Sequence, residues 1–119
     1  MKILIVDDEA LIRMSLARVF RSQGDEVIIA EDGVDGEKKW LQMQPDIVVL
    51  DVLMPGLSGP QLIERVQSQT KAKIVLISAY AADYDVASIK QLGADLFIAK
   101  PFDNIFSVAA QIKQLVTEK

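Results

Sequence analysis

The chain has 119 residues, which is enough for one compact domain and too few for two. Half of its residues are apolar, so a hydrophobic core can form, while the net charge of −4 argues against direct nucleic-acid binding, which needs a basic face. The sequence contains no cysteine and no histidine, which excludes disulfides, Ser-His-Asp and Cys-His triads, and a histidine-based kinase or phosphocarrier.

Five short apolar runs predict five β-strands. Each run is continuous rather than alternating and is rich in β-branched residues, as in a parallel sheet with both faces covered. The predicted strands are Ile3–Val6, Val27–Ala30, Ile47–Leu50, Ile74–Ile77 and Leu96–Ala99. Their starts are 20 to 27 residues apart, which leaves room for one helix in each gap.

The segments between and after the strands favour helices. The first gap contains a stripe at helical spacing, formed by Ile12, Ser15, Leu16 and Val19. The final segment contains a longer stripe, formed by Ile105, Val108, Ala109, Ile112 and Val116. The third gap opens with Ser58 as an N-cap and Pro60 in the first turn. In the second gap, Trp40 and Leu41 share a flank with Glu37, so the sequence does not identify which face of this helix is buried.

This alternation predicts an α/β fold with five βα units in an open, doubly wound parallel sheet. Right-handed crossovers restrict the topology, and analogy with known flavodoxin-like folds favours the strand order 2-1-3-4-5. The strand order then reverses between strands 1 and 3. Ligands are expected beyond the carboxyl ends of those strands.

Polar residues follow four of the predicted strands at this edge. They are Asp7, Asp8 and Glu9 after strand 1, Asp51 after strand 3, Ser78 after strand 4 and Lys100 after strand 5. Two carboxylates about 4 Å apart repel by up to ~4 kcal/mol at an effective dielectric near 20, which favours a bound cation. Hard oxygen ligands without histidine or cysteine suit Mg²⁺ best. Glu31 and Asp32 follow strand 2, on the outer side of strand 1, and are not expected to join them.

Each of these residues also has an ordinary interpretation. Asp8 could cap the first helix, Asp51 could be a solvated loop residue, and Ser78 could cap a helix or stabilise a turn. Lys100 and Pro101 could form a plain turn. A functional site is favoured because these residues occur together at strands 1 and 3, between which the strand order reverses, and at the neighbouring strand ends.

The motifs resemble the signature of CheY-like response-regulator receiver domains. The matching segments are Asp7-Asp8, Asp51 with Met54-Pro55-Gly56, Ser78-Ala79 and Lys100-Pro101-Phe102. The resemblance covers essentially the whole chain and implies the CheY-like form of the doubly wound fold, with residues 1–119 as a single receiver domain.

The resemblance also implies roles for individual residues. Asp51 would accept the phosphoryl group, and Lys100 would pair with Asp51 and then with the phosphoryl oxygens. Asp8 would bind Mg²⁺ directly, with Mn²⁺ as an alternative ion. Asp7 would act mainly through water, and the backbone carbonyl of Leu53 would complete the protein ligands together with Asp51.

A second set of implied features concerns signalling. Ser78 would hydrogen-bond the phosphoryl group, Phe97 occupies the aromatic switch position, and the Lys100–Pro101 peptide bond would be cis. The chain would be a switch that assists its own phosphorylation and dephosphorylation, rather than an enzyme acting on other molecules. Its donor would be a histidine kinase or a histidine phosphotransfer protein. Its downstream protein target would bind the face formed by helix 4, strand 5 and helix 5.

Some residues depart from the family pattern or vary within it. Phe97 lacks the hydroxyl of the commoner tyrosine, so the switch is expected to be weaker or read differently. Leu53 and Tyr80 are bulky and poor at activating water, so slow loss of the phosphoryl group is expected. Phe106 lies off the main stripe of the last helix, and a half-buried flank is favoured over a partner surface.

Three other functions fit less well. An FMN-binding protein of the same topology would need a small, hydroxyl-rich phosphate loop in place of Asp7-Asp8-Glu9. A haloacid-dehalogenase-type phosphatase would need a second aspartate two residues after its nucleophile. A receiver-like adaptor that has lost phosphorylation would not need the intact acidic cluster.

The sequence also predicts location. Its apolar start, MKILIV, is too short for a signal peptide, and no apolar run approaches the ~20 residues of a membrane span. A soluble, cytoplasmic protein with no membrane partner is expected, either acting alone or as the receiver part of a longer regulator.

Overall fold

The computed structural model describes residues 1–80 and 84–117. Strands and helices alternate along these residues. The strands are β1 (Lys2–Val6), β2 (Glu26–Ala30), β3 (Ile47–Asp51), β4 (Lys73–Ser78) and β5 (Leu96–Ala99). The helices are α1 (Ala10–Ser22), α2 (Gly33–Met43), α3 (Gly59–Val66), α4 (Val86–Gln91) and α5 (Ile105–Thr117), with a short 3₁₀ turn at Gln67–Gln69.

The five strands form one parallel sheet in the order β2-β1-β3-β4-β5, which confirms the predicted topology. Its register aligns the strand ends: Val6 pairs with Leu50, Asp51 with Ile77, and Ser78 with Ala99. The residues that follow β1, β3, β4 and β5 therefore lie along one edge of the sheet.

The core consists of two apolar layers, one on each face of the sheet. Alternate residues of β1 point to opposite layers, since Ile3 packs with α1 and α5 whereas Leu4 packs with α2, α3 and α4. This double burial explains why the strands are continuously apolar. The central strand β3 is buried along its entire length.

The structure confirms the predicted start of α3 and resolves the buried face of α2. Ser58 caps α3 in a capping box with Gln61, whose amide oxygen accepts the Ser58 backbone N–H at 2.9 Å. Trp40 is fully buried, and its indole N–H donates to Thr70 Oγ1 at 2.8 Å. The indole of Trp40 therefore defines the inner face of α2, while Leu41 is half-buried.

The expectation for Phe106 is wrong. The side chain lies in the first turn of α5 and is 66% exposed, rather than half-buried against the core. The predicted α5 stripe itself faces the sheet, with Val108, Ala109 and Ile112 buried. None of the helices in the described part of the chain is long and apolar enough to cross a membrane.

Candidate functional site

Three aspartates converge at the carboxyl edge of the sheet. Asp7 follows β1 directly, Asp8 is its neighbour, and Asp51 is the last residue of β3. One carboxylate oxygen from each of the three lies within 4.8 Å of the others. β1 and β3 are hydrogen-bonded neighbours, so the sheet register brings together residues that are more than 40 positions apart in sequence.

Burial sets two of these carboxylates apart from ordinary loop residues. Asp7 is fully buried and Asp51 is only 4% exposed, whereas Asp8 is exposed. A solvated loop residue after the strand is therefore the wrong description of Asp51. Ser78, at the end of β4, is also buried beside them.

Lys100 brings a positive charge into this group of carboxylates. Its ammonium Nζ lies 3.1 Å from Asp7 Oδ2, 3.5 Å from Asp51 Oδ2 and 2.7 Å from Glu9 Oε1. The expected pairing with Asp51 is present, but it is the longest of the three contacts. Glu9 was expected at this edge of the sheet but was assigned no role, although its position directly after two aspartates is a signal that could have been used.

The electrostatics of the site favour a further cation. The pKa of Asp51 is raised to about 7, chiefly by burial and then by the neighbouring charge of Asp7, with Lys100 partly opposing both effects. Burial also raises the pKa of Asp7, against the backbone N–H of Glu9 and the charge of Lys100. Burial by itself would lower the pKa of the Lys100 ammonium, but the hydrogen bonds from Lys100 to Glu9 and Asp7 raise this pKa overall. The site therefore holds more negative charge than its lysine balances.

The donor set at this site fits Mg²⁺. All three clustered side chains offer carboxylate oxygens, which are the hard ligands that Mg²⁺ prefers. The crowding that raises the pKa of Asp51 is what a divalent cation would relieve.

The backbone around Asp51 leaves no space for a side chain at the start of α3. A Cβ added at Gly59 would lie 2.5 Å from the Asp51 carbonyl oxygen and 3.1 Å from Val52 Cα. The Gly59 N–H donates to the Val52 carbonyl at 2.9 Å. Gly56, in the preceding loop, has a φ of 80°, a conformation that glycine adopts without strain. These contacts fix the path of the loop that follows Asp51.

The comparison with protein families agrees with this geometry. Residues 3–110 match the family model for the response regulator receiver domain. The chain belongs to this family.

Individual relatives and solved structures support the same assignment. The transcriptional regulatory protein CseB of Streptomyces coelicolor is 34% identical over 107 residues, which cover 90% of this chain. That region is 46% of CseB, so the receiver chain spans about half the length of this relative. A CheY-like receiver domain protein from Methanospirillum hungatei has a TM-score of 0.88 at 28% identity, covering 98% of this chain and 94% of the other.

One solved structure combines a receiver fold with a metal. The response regulator TrrA of Thermotoga maritima, solved in complex with Mg²⁺ and BeF, is 34% identical with a TM-score of 0.82. The similarity covers 96% of this chain and 97% of TrrA.

Membership of the receiver family leaves no support for the two alternative functions, an FMN-binding protein and a haloacid-dehalogenase-type phosphatase.

The loop after β1 in this receiver domain is held by contacts other than a cap from Asp8. The N-cap residue of α1 is Glu9, without a side-chain cap bond, so the capping interpretation of Asp8 is wrong. Asp7 Oδ1 instead accepts the Glu9 backbone N–H at 2.9 Å, and Arg13 donates to the Asp7 carbonyl at 2.7 Å. Asp8 therefore remains exposed beside the buried aspartates. Asp32, by contrast, caps α2 through its side chain.

Ser78 ends β4 at the same edge of the sheet as the aspartates and stabilises a turn. Its Oγ accepts the Tyr80 backbone N–H at 2.9 Å. The turn interpretation of Ser78 is therefore correct in itself and compatible with a place in the site. Its hydroxyl hydrogen can donate in a different direction, since a serine oxygen both donates and accepts.

The remaining predicted residues differ in their exposure. Leu53 and Tyr80 are 55% and 58% exposed. Phe97 is half-buried and stacks on Tyr84, with ring centroids 5.3 Å apart and an interplanar angle of 27°. The Lys100–Pro101 peptide bond is cis, as expected.

Proposed function

We propose that this domain accepts a phosphoryl group on the Asp51 carboxylate. Receiver domains take this group from histidine kinases, and we propose a phosphohistidine on a histidine kinase or a histidine phosphotransfer protein as the donor. The observation that carries the proposal is the contact of a buried, strand-ending Asp51 with Lys100, beside two further aspartates. The domain is a phosphoacceptor switch rather than an enzyme with a separate substrate.

Asp51 would act as the nucleophile. Its carboxylate oxygen attacks phosphorus while the bond from phosphorus to the histidine nitrogen breaks, so the phosphoryl group passes to Asp51 and the donor imidazole becomes neutral by taking up a proton. The Lys100 ammonium offsets charge on the transferred oxygens. The Ser78 hydroxyl donates a hydrogen bond to one of them.

Asp7, Asp8, Asp51 and the backbone carbonyl of Leu53 would hold Mg²⁺, with Mn²⁺ as an alternative ion. When bound, the ion supplies positive charge that stabilises the transferring phosphoryl group. The raised pKa of Asp51 supports this assignment, since a nearby cation favours its nucleophilic, ionised form.

Ser78 and Phe97 would carry the signal away from the site. The proposal is that a phosphoryl group on Asp51 draws the Ser78 hydroxyl toward it, and that the Phe97 ring then moves inward. The half-buried Phe97 and its stacking on Tyr84 place an aromatic pair beside α4, which supports a target surface formed by α4, β5 and α5. Residues 81–83, which precede α4, lie outside the described residues.

The activity of the whole protein is a wider proposal. We propose that residues 1–119 form one receiver domain and that its phosphorylation controls a protein target. The expectation of no nucleic-acid contact is restricted to this acidic domain, because CseB is named a transcriptional regulatory protein and is about twice as long. The expected cytoplasmic location stays a prediction.

The decisive experiment is intact mass spectrometry after incubation with acetyl phosphate and Mg²⁺. Wild-type protein should gain one phosphoryl group, and Asp51→Asn should gain none. Asp103→Asn, which changes an exposed aspartate outside the cluster, is the matched control and should behave as wild type. Modification of Asp51→Asn to the same extent, or no modification of wild type, would refute the proposed acceptor.

A further inference from the structure

Glu9 is the closest carboxylate partner of Lys100. Its Oε1 lies 2.7 Å from the ammonium, compared with 3.1 Å for Asp7 and 3.5 Å for Asp51. The positive charge proposed to assist phosphoryl transfer is therefore drawn toward a residue that is neither the acceptor nor a proposed metal ligand.

The structure holds the backbone of Glu9 while leaving the end of its side chain accessible. Its N–H donates to Asp7 Oδ1 at 2.9 Å, and its carbonyl accepts the Arg13 N–H at 3.2 Å. The Glu9 side chain is 59% exposed, whereas the Lys100 side chain is only 8% exposed. Water can therefore solvate the Glu9 carboxylate when Lys100 leaves, without any movement of the backbone.

Resting on the proposed function, we propose that Glu9 is a positioning residue that draws the Lys100 ammonium away from Asp51 in the unmodified domain. Lys100 then exchanges Glu9 for the phosphoryl oxygens when Asp51 is modified. This exchange slows phosphoryl acceptance, because the Glu9–Lys100 pair has to break each time. Glu9 also adds negative charge where an anionic donor approaches.

The first test is the rate of phosphorylation of Glu9→Gln, which keeps the shape of the side chain and removes its charge. Partly exposed ion pairs are weak, so we expect the rate with acetyl phosphate at saturating Mg²⁺ to rise about two- to fivefold. Glu31→Gln is the matched control, since Glu31 is exposed, directly follows β2 at the same edge of the sheet, and gives the same change in net charge. The control should react at the wild-type rate.

The second test is a spectroscopic signature that a merely structural role would not produce. The side-chain NMR signal of Lys100, assigned by its loss in Lys100→Met, should shift in unmodified Glu9→Gln and stay in place in Glu31→Gln. Adding Mg²⁺ and beryllofluoride, as a phosphoryl analogue, should bring the Lys100 signals of wild type and Glu9→Gln together. Such convergence would mean that the Lys100 ammonium no longer contacts the side chain of residue 9 in either protein.

Two results would overturn this inference. One is a Glu9→Gln rate no higher than that of Glu31→Gln, and the other is an unchanged Lys100 signal in unmodified Glu9→Gln. A wild-type protein that takes no phosphoryl group at all would instead refute the proposed function. The Lys100 signal of the unmodified protein would still show whether Glu9 holds the ammonium.

Discussion

Replacing Asp51 by asparagine should stabilise the metal-free protein, because it removes a negative charge from a crowded, buried position. The pKa of Asp51 rises from an ordinary value of 3.8 to about 7, mainly through burial and then through the charge of Asp7. Each unit corresponds to about 1.4 kcal/mol, so ionising Asp51 costs the folded state at most about 4 kcal/mol. Screening by water at the edge of the site reduces the gain that we expect to about 2 kcal/mol.

The effect should depend on pH in a defined direction. Between about pH 4 and pH 7 the folded wild-type protein holds the Asp51 proton more tightly than the unfolded chain does. Its free energy of unfolding should therefore fall as the pH rises through this window and level off above pH 7. In Asp51→Asn the fall should be shallower, with the remaining slope coming from Asp7, whose pKa is also raised.

Urea unfolding with a metal chelator at pH 5 and pH 8 measures this directly. Fluorescence of the single tryptophan, Trp40, is a suitable probe because its indole is buried in the folded state. The gain in Asp51→Asn should be larger at pH 8, and Asp103→Asn should show no comparable gain. If Asp51→Asn were no more stable than wild type at pH 8, the reasoning from crowded carboxylates would be wrong.

Further predictions concern the metal and other residues at the site. Mg²⁺ should raise the melting temperature of wild type by binding the folded form, with a much smaller rise in Asp51→Asn. Lys100→Met should lower the metal-free stability at pH 8 by about 3 kcal/mol in urea unfolding, since the buried aspartates lose their cation; equal stability would contradict this. Gly59→Ala should cost about 2 kcal/mol in the same assay, because its Cβ would meet the Asp51 carbonyl at 2.5 Å. Replacing Leu53 by Asn and Tyr80 by Glu should shorten the phosphoryl lifetime about tenfold, measured by the decay of the modified mass; a wild-type lifetime of only seconds would argue against slow hydrolysis.

Much of the fold follows from local signals. The five apolar runs were long enough to identify every strand, and the rule for parallel crossovers left few topologies to consider. The N-cap at Ser58 was visible because helix capping involves only residues that are close in sequence. The acidic site could be anticipated although its residues are far apart in sequence, because the residues after parallel strands must meet at one edge of the sheet.

Other features could not be derived from local pattern. The inner face of α2 depends on the bond from Trp40 to Thr70, which is 30 positions away. The capping interpretation of Asp8 failed because Glu9 is the N-cap residue, and the half-buried position expected for Phe106 failed because no element packs over that side chain within the described residues.

By itself, the sequence determined the parallel α/β sheet and the edge at which its acidic residues gather, since both follow from apolar periodicity and chain connectivity. Only the tertiary structure decided how these charges interact. Lys100 contacts Glu9 across 91 positions of sequence, and the pKa of Asp51 depends on its burial and on the charges of Asp7 and Lys100. Electrostatic energies depend on distance and on access to water, and both are set by packing.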